Sequence, residues 1–136
     1  PGIGGQLDSR GVRVARFMLK KVFRDPRFVQ EALVDELWRT RQLPGAKEAV
    51  GRVLRRTVGL RGVRSRYVLL DQLEMLQAPV MIVWGREDRV LPVDHAYRAA
   101  KALPGARLEV LECCGHWPHM EKASTFNRLL VEFLSR

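Results

Sequence analysis

Two residues in this 136-residue sequence pair a useful chemistry with a place to use it: Asp88 and His116. An imidazole titrates near neutrality, which suits it to general-base work. A carboxylate bonded to one ring nitrogen fixes the tautomer and stabilises the imidazolium formed as a proton moves. Each residue follows an apolar run. Asp88 lies in Gly85-Arg86-Glu87-Asp88 after Val80 to Trp84, and His116 lies in Cys113-Cys114-Gly115-His116-Trp117-Pro118 after Arg107 to Glu112. Taken singly, such an aspartate reads as a turn cap and such a Gly-His as an ordinary loop. Glu87 and Asp94 compete for the acid role, but Asp94 stands at a helix start, where a carboxylate serves the helix dipole. His95 and His119 read as surface residues. A metal site of His116, His119 and Glu121 is disfavoured, because Pro118 prevents the helical spacing that zinc enzymes use. Cys114 is too close in sequence to His116 to be its nucleophile.

The elements that must position the pair follow from hydropathy. Val80 to Trp84 is unbroken, apolar and β-branched, which predicts a strand buried on both faces of a parallel sheet. Arg107 to Glu112 alternates and predicts a second strand. Between them a helix over about 93–103 starts after Pro92 and carries Ala96, Tyr97, Ala99, Ala100 and Leu103 on one face. Strand–helix–strand with a right-handed crossover makes the strands parallel, so both exit loops open on one edge of the sheet. A closing helix over about 121–134 buries Phe126, Leu129, Leu130, Phe133 and Leu134.

Upstream, the 3.6-residue period predicts three helices. The first spans about 10–23, capped by Asp8 or Ser9 after a Gly-rich loop, with Val14, Phe17, Met18 and Leu19 inward. The second covers about 27–41 after Asp25-Pro26, with Phe28, Val29, Ala32, Leu33, Leu37 and Trp38 inward. The third runs over about 46–58 through Ala49, Val50, Val53 and Leu54, until Gly59 and Gly62 break it. A short helix over about 71–76 leads back to the sheet. This gives two segments, a helical one over 1–75 and a sheet-bearing one over 76–136.

Gly85-x-x-Asp88-x-x-x-Pro92, then Gly115-His116-x-Pro118-x-x-Glu121, then an apolar helix ending Val131-Glu132-Phe133-Leu134, resembles the C-terminal part of an α/β-hydrolase. One departure is Ala123, where that family usually carries proline. The resemblance implies a partial α/β-hydrolase fold, a helical cap followed by a parallel β-α-β-α unit, with Asp88 as triad acid and His116 as triad base. It also implies Val90 and Leu91 at the substrate pocket, Trp117 at its border, Phe17, Met18 and Trp38 as roof candidates, and no cofactor or metal. Trp117 with Phe126-Asn127-Arg128-Leu129 is similar to meta-cleavage-product hydrolases, which split carbon–carbon bonds of vinylogous diketones. The family's nucleophile stands in a Gly-x-Ser-x-Gly elbow upstream of the acid. None of Ser9, Ser65, Ser124 and Ser135 sits in one. The expectation is therefore the C-terminal half of a serine-type hydrolase of small apolar esters or diketones, inactive alone. A haloalkane dehalogenase or epoxide hydrolase fragment is an alternative, as is a non-catalytic binding or assembly module.

Composition bounds the partners. Residues 1–70 carry 16 Lys/Arg against 6 Asp/Glu, whereas 71–136 carry 8 against 9. A basic half invites nucleic acid or anionic membrane. Poor aromatic interleaving and the absence of helix-turn-helix or zinc-finger spacing favour arginine-coated solvent faces, so neither partner is expected. No run of about 18 apolar residues and no signal pattern occur, so a cytoplasmic protein is the simplest reading. The adjacent Cys113 and Cys114 read as reduced thiols. The expected partners are a small-molecule substrate and either a missing N-terminal half or a second copy, through the open edge of the first strand.

Overall fold

The computed structural model describes residues 9–60 and 62–135. The cap expected of Asp8 lies outside them. Helix α1 (Ser9–Val22) is followed by a 3-10 turn, Pro26–Phe28, whose first N–H is bonded by the Asp25 carboxylate. Helices α2 (Glu31–Arg41) and α3 (Ala46–Thr57) come next. A two-residue antiparallel pair, β1 (Val58–Gly59) and β2 (Gly62–Val63), stands where the glycines end α3, and Gly62 supplies a φ of +100°. Short 3-10 turns at Ser65–Tyr67 and Leu70–Met75 lead to the sheet.

The sheet-bearing part is β3 (Met81–Gly85), α4 (Asp94–Ala102), β4 (Arg107–Leu111), α5 (Pro118–Glu121) and α6 (Ala123–Leu134). The two strands are parallel and in continuous register, Met81 opposite Arg107 through Gly85 opposite Leu111. Helix α4 crosses over both and buries Ala96. The expected β-α-β unit is thus present. The expected closing helix is α6, and α5 is a separate short turn before it, divided from it at Lys122, which leaves helical geometry (φ −129°, ψ 42°). Leu129 is buried on α6, whereas Leu130 and Leu134 face outward.

Burial differs from the sequence reading in two places. Strand β3 is not covered on both faces: Met81 to Trp84 are half-buried and only Gly85 is buried, since β4 is the single strand paired with it among the described residues. The most buried cluster is helical instead. Ala15, Leu19, Phe23 and Val34 form it, with Val12, Leu33, Leu37, Trp38 and Trp117 packed around it. On α1 the inward stripe is Ala15 and Leu19, not Val14, Phe17 and Met18, which are exposed. The reason is rotational: basic side chains flank the apolar stripe on both sides, and α2 meets its small-residue edge, where Arg16 also pairs with Glu31. On α3, Val50, Val53 and Leu54 are likewise exposed.

This packing separates two neighbours on α1. Leu19→Ala, at a residue 1% exposed, removes buried volume and is expected to cost about 2–5 kcal/mol. Phe17→Ala, at a residue 60% exposed, should stay within about 0.5 kcal/mol of the parent. Urea unfolding of the two variants decides which face is inward.

Candidate functional site

The loop leaving β3 and the loop leaving β4 lie side by side. Backbone bonds continue the strand pairing past the sheet: Arg86 N donates to Leu111 O (3.0 Å), and Glu87 N donates to Cys114 O (3.0 Å). Gly85 permits the contact. A Cβ there would stand 2.0 Å from the carbonyl oxygen of Gly115 and 2.4 Å from that of Cys114, both backbone atoms. A side chain at 85 would push the histidine loop away.

Asp88 turns its carboxylate into this junction, with only 3% of the side chain exposed. Its Oδ1 accepts the N–H groups of Val90 (2.7 Å) and Leu91 (2.9 Å). Its Oδ2 faces Nδ1 of His116 at 2.7 Å across 28 positions of sequence. The bond to Oδ2 fixes the orientation of the ring and makes Nδ1 the donor, with Nε2 on the opposite side of the ring. The imidazole, 29% exposed, lines a cleft of about 260 Å³ with Val83, Trp84, Pro118, His119 and Phe126. The arrangement is an imidazole oriented by a carboxylate at the wall of a cleft.

The neighbours are sorted by their bonds. Glu87 Oε2 accepts from Cys114 N at 2.9 Å, so this carboxylate ties the two loops together while Asp88 meets the imidazole. Asp94 lies in the first turn of α4. His95 and His119 are exposed. Val90 and Leu91 are exposed beside Asp88 and do not line the cleft. Trp117 is half-buried and packs edge-on against Phe23, centroids 5.4 Å apart, which joins the histidine loop to the helical core. Among the described residues, no group of three or more His, Cys, Asp or Glu could hold a metal ion. No helix there is long and apolar enough to cross a membrane.

Sequence reasoning left Glu121 as a motif position without a role. The structure buries it: Oε1 accepts from Asp25 N (2.8 Å) and Oε2 from Gly115 N (2.5 Å). Charged residues are exposed by default, and nothing local in Pro118-His119-Met120-Glu121 signals otherwise. Cys114 is buried too. Burial first, and the Glu121 carboxylate second, push its thiol up to about 12, so it is no nucleophile at neutral pH. Cys113 is exposed and takes a left-handed backbone, φ +51°.

A family model described as "alpha/beta hydrolase fold" matches residues 13–123. The chain belongs to the α/β-hydrolase fold family. It is 46% identical over 64 residues to a 2-hydroxy-6-oxononadienedioate/2-hydroxy-6-oxononatrienedioate hydrolase of Pseudomonas putida, a match covering 47% of this chain and 22% of that protein. An uncharacterized protein of Mycobacterium tuberculosis is 40% identical over 92 residues, 67% of this chain and 26% of that one. The crystal structure of the meta-cleavage product hydrolase from Pseudomonas fluorescens IP01 superposes with a TM-score of 0.77 at 26% identity, covering 91% of this chain and 45% of that one. This α/β-hydrolase chain therefore matches less than half the length of each relative.

Two outcomes check the junction. Gly85→Ala should cost about 1–3 kcal/mol or more, read by urea unfolding, because only backbone can yield to the added methyl. At pH 8, a disulfide reagent should titrate one thiol quickly, Cys113, and reach Cys114 only in denaturant. The raised thiol also sets a sign. Between pH 9 and 12 the unfolded chain gives up a proton that the folded chain keeps, so unfolding free energy should fall with rising pH in that window, and less so in Cys114→Ala.

Proposed function

We propose that this chain is the acid–base portion of a serine-type hydrolase, with Asp88 as acid, His116 as base and the nucleophilic hydroxyl outside these 136 residues. The observation that carries the reading is the 2.7 Å contact between Asp88 Oδ2 and His116 Nδ1, with Oδ1 filled by two backbone donors. In the reaction, Nε2 takes the proton of the attacking hydroxyl as the acyl bond forms. Asp88 stabilises the imidazolium, which then gives that proton to the leaving group. Water, deprotonated by the same nitrogen, cleaves the acyl intermediate and restores the hydroxyl.

The substrates we propose are small apolar esters or diketones cleaved at a carbon–carbon bond. The names of the Pseudomonas relatives support the second class. In this proposal residues 1–75 form the cap and 76–136 part of the catalytic core. The cleft lined by Val83, Trp84 and Phe126 serves as the acyl pocket, Val90 and Leu91 lie on the acid's loop beside it, and Trp117 stands where cap and core meet. The β3 edge receives a strand of the nucleophile-bearing half.

The edge of β3 that no described strand covers favours one second reading, a non-catalytic assembly module in which two copies pair through that edge. Mass by size-exclusion chromatography with light scattering separates the two, since a monomer at all concentrations removes the second. For the first, the isolated chain should not raise p-nitrophenyl acetate hydrolysis above buffer, and His116→Ala should match the parent. Turnover that His116→Ala abolishes would place a nucleophile inside the chain.

A further inference from the structure

Three consecutive backbone N–H groups of the histidine loop are each held by a different part of the chain. Cys114 N donates to Glu87 Oε2 (2.9 Å), Gly115 N to Glu121 Oε2 (2.5 Å) and His116 N to the carbonyl of Val22 (2.7 Å). Val22 is the last residue of α1, where carbonyls have no helical partner, so the loop satisfies an acceptor that the helix leaves open. Glu121 makes the second link to the same place, because its other oxygen accepts the N–H of Asp25, 96 positions away. The end of α1 thus reaches the histidine loop twice, once directly and once through a buried carboxylate.

We propose that Glu121 is a positioning residue that couples the α1–Asp25 turn to the alignment of His116 on Asp88. The inference rests on the acid–base reading of that pair. A buried carboxylate is costly unless donors converge on it, and bonds to a charged acceptor are the stronger kind. Here the two donors come from the two segments that must stay in register. The loop has no slack: a Cβ on Gly115 would stand 2.4 Å from the Val22 oxygen and 2.8 Å from Glu121 Oε2. Gly115 adjoins His116, so a shift of its peptide tilts the imidazole off Oδ2. Motion of the helical segment is thereby transmitted to the base before any substrate is touched. Glu87 secures the loop only to the loop that carries Asp88, so among the described carboxylates it is Glu121 that ties it to the helices.

Proton NMR of the whole chain tests this through the low-field resonance of His116 Nδ1–H. Glu121→Gln keeps the shape but offers one oxygen and turns an NH2 against an N–H. The resonance should broaden or vanish, and the Asp25 and Gly115 amides should exchange at least about tenfold faster, while β3 and α4 amides stay unchanged. Glu121→Asp, which keeps the charge, should recover part of the resonance. A resonance and exchange rates unmoved by Glu121→Gln overturn the proposal. Should that variant unfold, the parent decides: Asp25 and Gly115 amides exchanging within about tenfold of one another support a shared clasp, and a wider gap overturns it. Asp88→Asn is the separate control. If the parent lacks the resonance, or Asp88→Asn keeps it, the acid–base reading falls, and amide exchange in Glu121→Gln still decides the clasp.

Discussion

The chain between Cys114 and His116 is the point on which the structure turns. Its N–H groups accept no freedom, being bound to Glu87, Glu121 and Val22, and it presses on Gly85 from the other side. Buried backbone donors have to be bonded somewhere. Here each is bonded to a different element, so satisfying the peptide groups also fixes where strands and helices stand. The short contact of imidazole and carboxylate is the result of that accounting.

The same junction explains where the core lies. Leu19, Phe23 and Val34 seal the helices to each other, and Trp117 extends the cluster onto the histidine loop. The two strands contribute little fully buried surface, because parallel strands are buried when both faces are covered and, among the described residues, β3 and β4 pair only with each other. Rigidity at His116 therefore comes from helices packed against its loop as much as from the sheet that delivers it.

Much of this was legible beforehand. An unbroken β-branched run, a proline-started helix and an alternating run are local signals, and β3, α4 and β4 appear within a residue or two of where they point. Asp88 and His116 follow from those elements, since parallel strands open on one edge. Rotation of α1 was not legible. Phe17 and Leu19 are both apolar, and only the partner helix, absent from a local pattern, chooses between them. Glu121 escaped for the opposite reason: its meaning lies in Asp25 and Gly115, one of them nearly a hundred residues away.

The parallel register of β3 and β4 around α4 carries one more implication. Asp88 and His116 are supplied by a single contiguous unit, 28 positions from one to the other. Contacts so near in sequence close early and quickly, ahead of long-range pairings. Synthesis runs from the N-terminus, so on a ribosome the helices emerge before this stretch, and the carboxylate–imidazole contact closes only once His116 has followed Asp88 out. The contact is in this sense drawn from local chain order and held where it is by the end of a helix made earlier.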